Sequence, residues 1–506
     1  MQQPIFSLGG SGLLLLAVAG FGAWIVYRIL KNCFWHPLAS FPGPRIAAIT
    51  HLYRVYIDCV AKSSFVHTLE RLHAQYGDIV RVGPNELHFA YPAAYLEIFN
   101  PNNRWDKERS LYHSFGEDRS SFGFLTYKEA KERKDVLTKM FSKKAIADVQ
   151  DLIVEKVVDL CKSFESRGTQ PVDLFYAFRC MSLDIITYLC FGNSVNAINA
   201  PNHEAPIILS MDASVPVFVP FKHFSLYKEM IVNCPPYISK IVSPATAGLV
   251  NLQLLLKKQI SELTTDPENL KKLPHSTTIY HELLRPEAYR SGTAPDAGSL
   301  YEEAQALLFA GADTTGTTLM HGCFHILSLP EVYRKLKQEL LLAWPDLEKK
   351  PSLNELEKLP YLTAVIKESL RISPGVASPL PRVVPASGAT ISQKYIPGGT
   401  VVSMSSHFVH RNPVVFDGPN EFNPDRWLGA KGKDLDRWLV AFSRGPRSCL
   451  GLNLAWAELY ICFAHVFRKF DMEIDPSSPK ELEWRDCFLP EYRGPHLKAR
   501  LTSVRS

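Results

Sequence analysis

The pattern of apolar and polar positions divides this chain of 506 residues into an apolar leader, a short alternating section and a long, mostly helical remainder. Residues 5–27 contain no charged side chain, and about 20 apolar residues are what a helix needs to cross a bilayer. Arg28 and Lys31 follow at once, with Trp24 and Tyr27 placed for an interfacial belt, so the carboxyl side is predicted to face the cytosol. A cleaved signal peptide is the alternative reading. The lack of a basic stretch before the apolar run, and the basic flank after it, favour a retained anchor. Residues 1–30 are therefore read as a membrane anchor, and 31–45, which contain Phe41-Pro-Gly-Pro-Arg45, as a stiff proline-rich linker. Tyr76-Gly-Asp-Ile-Val-Arg-Val-Gly83 and Leu87-His-Phe-Ala90 alternate and predict two short strands. Residues 103–124 lack helical periodicity and predict a long loop, in which Phe115, Phe122 and Phe124 are candidates to line an entrance or simply to pack. Helical spacing begins at Lys128–Lys134, whose charges read as a solvated face, and recurs over 151–166, 175–188, 299–327 and 452–470. Pro330 ends the longest of these. Residues 195–246 read as an apolar, loop-rich insert and 266–297 as an exposed polar connector. Residues 46–506 read as mainly helical with a short β-rich section, and the length leaves open two or three average domains or one large enzyme fold.

Composition narrows the class only slightly. A hydrophobic content of 46% suits a large buried core, and a net charge of +5 over this length gives no reason to expect nucleic acid. The 10 cysteines include no C-x-x-C pair, and no Asn-x-Ser/Thr site occurs. Both features fit a body held in a reducing compartment.

The chemistry concentrates in Phe442-Ser-Arg-Gly-Pro-Arg-Ser-Cys-Leu-Gly451. A thiol is mostly protonated at neutral pH, so a thiolate ligand needs positive charge and N–H donors around it. Arg444 and Arg447 supply charge, and a helix starting just beyond Cys449 would turn its amides and dipole toward the sulfur. Gly445 and Pro446 shape a turn, Gly451 lets the backbone approach a flat ligand, and Phe442 would shield the sulfur. A buried cysteine in an Arg/Gly turn is the plain alternative. Three further stretches bear on the choice. In Ala310-Gly-Ala-Asp-Thr-Thr315, a helical glycine costs about 1 kcal/mol relative to alanine, so Gly311 requires either a flat ligand or close helix packing. Thr314 can hydrogen-bond the Ala310 carbonyl and open the helix locally. Glu368 and Arg371 share a helix face, and Arg382 lies in Pro381-Arg-Val-Val-Pro385. His321 and His325 have zinc-like spacing but lack a third ligand; His407 and His410, on an expected strand, point to opposite faces.

The cysteine stretch resembles the F-x-x-G-x-R-x-C-x-G signature of the cytochrome P-450 family, and the other three stretches occur in that family's order. The resemblance covers residue 35 onward and implies a haem-thiolate monooxygenase fold with Cys449 as axial iron ligand. Of the readings that length allows, it implies the single large fold, one mainly α domain with a small β-rich lobe over residues 46–506. It assigns Arg447, Arg382 and Lys134 to the haem propionates, although Ala130 stands where the family has an aromatic residue or histidine. Asp313 and Thr314 match its proton-relaying acid–alcohol pair. Glu368, Arg371 and Arg426 match a buried structural triad, with Asp425-Arg426 replacing the usual Glu-Arg. The implied reaction inserts one oxygen atom from O2 into an apolar small molecule, since thiolate ligation favours O–O cleavage. The chain has no dinucleotide fingerprint, so electrons would come from NADPH through an endoplasmic-reticulum haemoprotein reductase. Lys431, Lys433, Arg437 and Arg444 are candidates to meet that acidic partner. Ser40-Phe-Pro-Gly-Pro-Arg45, Ser142-Lys-Lys-Ala-Ile146 and Leu380-Pro-Arg-Val-Val-Pro385 resemble fungal members related to trichodiene oxygenase, which implies secondary metabolism and a terpenoid-like substrate. A haem-thiolate isomerase or dehydratase working without O2, and a non-catalytic haem carrier or sensor, are the alternatives.

Overall fold

The computed structural model describes residues 10–504 except 236, 239–240, 242–246 and 266–277. Parts of the expected anchor, insert and connector therefore lie outside the described residues. Helix α1 (Gly10–Leu30) is apolar and exposed along its described side chains, and its helical path continues through Lys31–Trp35. The following linker is not a free spacer, as the sequence suggested. Leu38 is fully buried, and Arg81 reaches back to the carbonyls of Asn32 (2.8 Å) and Leu38 (3.4 Å). A helix end followed by turns leaves carbonyls open, and these gain donors by docking rather than by standing off.

Strands β1 (Ile79–Gly83) and β2 (Glu86–Phe89) form the expected hairpin. They open a five-stranded sheet that also takes β3 (Asp106–Lys107), β4 (Arg382–Val383) and β5 (Val401–Ser403), in the order β1-β2-β5-β4-β3. The β2–β5 pairing is parallel and the other pairings are antiparallel. This sheet packs over its own core of Val80, Val82, Leu87, Phe89, Ile396 and Val402, the β-rich lobe. The expected 103–124 loop contains β3 and a helical turn at Arg109–Tyr112, because the Glu108 carboxylate accepts from the amides of Ser110 and Leu111.

The helical body holds the larger core. Helix α2 (Tyr127–Thr138) starts on a capping box between Thr126 and Glu129. Helix α3 (Leu174–Phe191), expected to be amphipathic, is buried nearly all round, because neighbouring helices cover both of its sides. Against it lies α4 (Ala297–Ser328), the long helix foreseen at 299–327. Gly311 and Gly316 make that approach possible: a methyl group on them would lie 2.9 Å from Ile186 Cβ and 2.6 Å from Arg179 Cγ. Helix packing therefore accounts for Gly311. Helices α5 (Pro360–Ile372) and α6 (Leu452–Lys469) complete the bed of the site. Two regions are more ordered than expected. The insert folds into short helices that include Pro206–Ser214, Phe218–His223 and Ser225–Asn233, which bury Ile208, Met211, Phe218 and Phe221. The described end of the connector forms Ile279–Leu283, whose Tyr280 is buried.

Candidate active site

The ten residues from Phe442 to Gly451 fold as a tight loop entering α6. Ser443 and Gly445 both take left-handed backbone angles (φ 57° and 75°). A methyl group on Gly445 would also lie 2.8 Å from the Phe99 carbonyl oxygen, so only glycine fits there. The Cys449 amide donates to the Phe442 carbonyl at 2.9 Å and closes the loop. The Cys449 side chain is accessible and lines a cavity. Burial pushes its thiol up, against the opposing pull of the Gly451 amide and the Lys134 cation. Arg444 and Arg447 were expected to hold the sulfur anionic. Arg447 instead turns its guanidinium to the carbonyls of Phe124 and Thr126, because a fork of N–H donors is better satisfied there than by one sulfur. Burial is the larger influence, and a metal bound to this sulfur would favour the thiolate.

The cavity above this loop measures about 320 Å³, against about 20 Å³ for a satellite space beneath the 218–222 segment. Its walls are mostly apolar, with Phe115, Phe122, Phe218, Phe309 and Phe488 prominent. Phe124, expected beside them, does not line the cavity and contributes only its carbonyl, to Arg447. Gly451 lines the floor, and a methyl group added to it would meet no protein atom within 4 Å, which leaves a smooth bed for a flat ligand. Phe442 is half-buried and also lines the floor.

Four cations border this space: Lys107, Lys134, Arg382 and Arg447. None of them has an ion-pair partner among the described residues. Lys134 donates to the carbonyls of Pro446 (3.2 Å) and Ser448 (2.8 Å). Arg382 donates to the Tyr112 hydroxyl at 2.7 Å, and Lys107 to the Phe122 carbonyl at 2.6 Å. Burial, then Arg447 and Arg382, hold the Lys107 ammonium well below the ordinary lysine range. Burial and Arg382 bring Arg447 down to about 10. Such a cluster demands an anion. A haem, flat and bearing two carboxylates, fits the bed at Gly451, the sulfur of Cys449 and this cationic rim together. Lys107 and Tyr112 were missed in the sequence, where nothing sets one lysine of a loop apart.

Thr314 lies on the cavity and donates its hydroxyl to the Ala310 carbonyl at 2.7 Å, as the spacing required. Helix α4 nevertheless runs unbroken through this point, because a carbonyl can accept a second bond without losing the first. The local opening expected from the sequence is not seen. Asp313 points away from the cavity and pairs with Arg179 of α3, which also reaches Asp212 at 3.3 Å. Burial pushes the Asp313 carboxyl up, with Arg179 opposing, and its Oδ2 has no hydrogen-bond partner. Arg179, a lone arginine in the apolar run 174–183, was the overlooked signal: a charge so placed must find a partner.

The triad comes together on α5. Arg371 grips Glu368 at 2.8 and 2.7 Å, and Arg426 Nε reaches the same carboxylate at 3.1 Å. Trp427 Nε1 and the Asn423 amide, both unforeseen, add bonds of 2.8 Å each. Asp425 plays no part and pairs with Lys335 on the surface. The histidines of both pairs are engaged within the protein. His321 bonds the Tyr492 hydroxyl, and His325 stacks on Phe422. His407 and His410 lie on a short helix, Ser406–His410, and not on a strand, because Ser405 caps that turn; they bond Glu70 and the Val440 amide.

A family model described as Cytochrome P450 matches residues 48–494. The chain is 31% identical to Cytochrome P450 monooxygenase flvC of Aspergillus flavus over 98% of either protein. It is 33% identical to Conidiogenone synthase PchP450 of Penicillium rubens, over 97% of this chain and all of the relative. A third relative, Cytochrome P450 monooxygenase MO6277 of Ascocoryne sarcoides, is 33% identical over 95% of each.

Proposed function

The chain belongs to the cytochrome P450 family and is a monooxygenase, and we propose that it inserts one oxygen atom from O2 into an apolar, terpenoid-like intermediate of secondary metabolism. One observation carries the reading: Cys449, Thr314 and four cations without ion-pair partners border a single, mostly apolar cavity. Cys449 would bind the haem iron, with Lys107, Lys134, Arg382 and Arg447 around its propionates and Phe442 and Gly451 against its face. Bound there, the haem supplies O2 activation, which thiolate ligation directs toward O–O cleavage. The aromatic walls exclude water and orient the substrate. Thr314 presents its hydroxyl oxygen to the cavity. Asp313, one residue earlier, holds a proton more readily than a solvated carboxyl does, and can hand it on from the unpartnered Oδ2 by swinging away from Arg179. Glu368, Arg371 and Arg426 fix the bed and take no chemical part. The terpenoid reading is supported by the three sequence stretches that resemble trichodiene-oxygenase relatives.

The exposed apolar α1 and its basic flank support a single-pass anchor at residues 1–30, with the body on the cytosolic face of the endoplasmic reticulum. Electrons would come from an NADPH-dependent reductase. Lys431, Lys433 and Arg437 are exposed and, with the half-buried Arg444, have no ion-pair partner among the described residues, as a docking face for an acidic flavoprotein requires. The test is reconstitution with such a reductase. NADPH-dependent transfer of one ¹⁸O atom from O2 to an apolar terpenoid, with a red-shifted carbon monoxide band that Cys449→Ser abolishes, is expected. Survival of that band in the serine variant would overturn the assignment.

A further inference from the structure

The apolar cavity contains one acid that its walls do not explain. Glu117 is only 6% exposed and lies on the cavity wall. Every other carboxylate nearby is engaged. Glu302 pairs with Arg119, Glu303 with Arg133 and the Ser121 hydroxyl, and Asp118 with Lys228. The Glu117 carboxyl has neither a hydrogen bond nor an ion pair among the described residues. Its oxygens are not sealed in by protein either, so they face the cavity. Among its polar neighbours on the wall, Gln305 is committed to the Phe115 carbonyl (2.7 Å) and the Tyr301 hydroxyl (2.9 Å), while Lys107, which donates to the Phe122 carbonyl, acts on Glu117 only through its charge. Burial, followed by Glu303 and Glu302, holds the Glu117 acid well above the ordinary carboxylate range. Lys107 opposes that shift, and the carboxyl keeps its acceptors, and a donor whenever it carries a proton, free to meet a ligand. Leaving such a group unmatched is unfavourable, whereas one hydroxyl satisfies both of its functions at once.

We propose that Glu117 is the polar anchor of the substrate pocket: its carboxyl hydrogen-bonds a hydroxyl on an otherwise apolar scaffold and fixes which carbon faces the Cys449 side. This rests on the monooxygenase reading and deepens it by naming the substrate class, a scaffold that already carries a hydroxyl. A reaction that leaves a free hydroxyl on the scaffold, such as hydroxylation, addition of water, carbonyl reduction or ester hydrolysis, must therefore supply this enzyme. Glu117 acts by position and recognition and takes no part in bond making.

Imidazoles with alkyl tails of graded length test the idea, because the ring nitrogen fixes the head at the haem iron while the tail explores the cavity. Tails end in methyl, hydroxyl or ammonium, and binding to full-length holoenzyme is read from the Soret shift. At one tail length the wild type should prefer hydroxyl over methyl by about threefold to tenfold, the value of one hydrogen bond. Glu117→Leu should abolish that preference while binding the methyl tail at least as well, and Glu117→Gln should keep part of it. Glu117→Val serves if the leucine variant does not hold haem. No preference at any length, a preference that survives in the leucine or valine variant, or an ammonium tail that outbinds the hydroxyl would overturn the proposal. The carbon monoxide band is recorded first. Its absence in the wild type would sink the haem-thiolate reading itself, whereas an intact band with no hydroxyl preference sinks only the role of Glu117.

Discussion

Replacing Glu368 with glutamine should unseat the cysteine loop although Glu368 touches neither cavity nor ligand. The wild-type carboxylate is fully buried and accepts five bonds: two from Arg371, one from Arg426, one from Trp427 and one from the Asn423 amide. Glutamine keeps the volume but presents an NH2 group where donors converge, and it removes the only negative charge paired with Arg371 among the described residues. That guanidinium is itself buried, and its other bonds run to the carbonyls of His410, Pro419 and Glu421. Breaking such a pair from one side costs about 3–5 kcal/mol, a large part of the roughly 5–15 kcal/mol that stabilises a typical fold. The loss should appear first in residues 417–427, which Arg371 and Arg426 tie to α5 and which lead toward the cysteine loop. Asp425→Asn is the control, since the Asp425–Lys335 pair is about half exposed and should contribute no more than about 1 kcal/mol. Denaturant unfolding and the carbon monoxide-binding fraction of purified protein decide the matter. A Glu368→Gln variant with wild-type stability and a full carbon monoxide band, or an Asp425→Asn variant equally damaged, would refute the reasoning.

Lys107→Met should release haem to an acceptor globin about 10- to 100-fold faster, as expected for losing one charge-assisted bond of about 1.5–3 kcal/mol; an unchanged release rate would remove Lys107 from the cationic rim. Glu458, buried on α6 and bonded to Ser182 at 2.7 Å, has its carboxyl pushed up by burial to about 8 from an ordinary 4.5. Between these values the folded state keeps a proton that the unfolded chain has released, so this group's contribution to stability is complete below pH about 4.5 and is lost as pH rises toward 8, by up to about 5 kcal/mol. Glu458→Gln should flatten that decline in melting curves between pH 5 and 8.5, and a parallel decline in both proteins would count against it. Charge reversal at Lys431 and Lys433 should slow reductase-driven haem reduction at low salt more than at high salt, and identical rates at both would dismiss the docking face.

What the sequence revealed was whatever local pattern controls. Periodicity located α3 and α4 to within three residues at their ends, since a long helix repeats its signal at every turn. Cys449, Thr314 and the Glu368–Arg371 grip could be read because each depends on spacing within one element. What remained hidden depends on contacts between distant segments. Arg179 meets Asp313 across two helices, and Lys107 reaches Arg382 across more than 270 positions, with no mark in either neighbourhood. The 195–246 insert looked loop-rich because prolines interrupt its periodicity. In the structure, prolines instead begin short helices, as at Pro206, where a missing N–H costs nothing. The linker misled for the opposite reason: composition showed its stiffness but not the buried arginine that binds it.

The sheet supplies the clearest physical case that the fold is completed by an anion. Lys107 of β3 and Arg382 of β4 are register partners, so the pleat puts both side chains on one face. Like charges directly opposite each other destabilise a strand pair, and both residues are almost fully buried (6% and 4% exposed). Arg447 and Lys134 add to the same field from the cysteine loop and α2, and Lys107 feels each of these three cations. A protein tuned only for its own stability would put an acid or an apolar residue at one of these positions. Keeping four cations there makes sense if the two carboxylates of a bound haem belong to the native state. Binding then offsets repulsion that the polypeptide alone must bear, and loading stabilises the fold by as much as the anion relieves the rim.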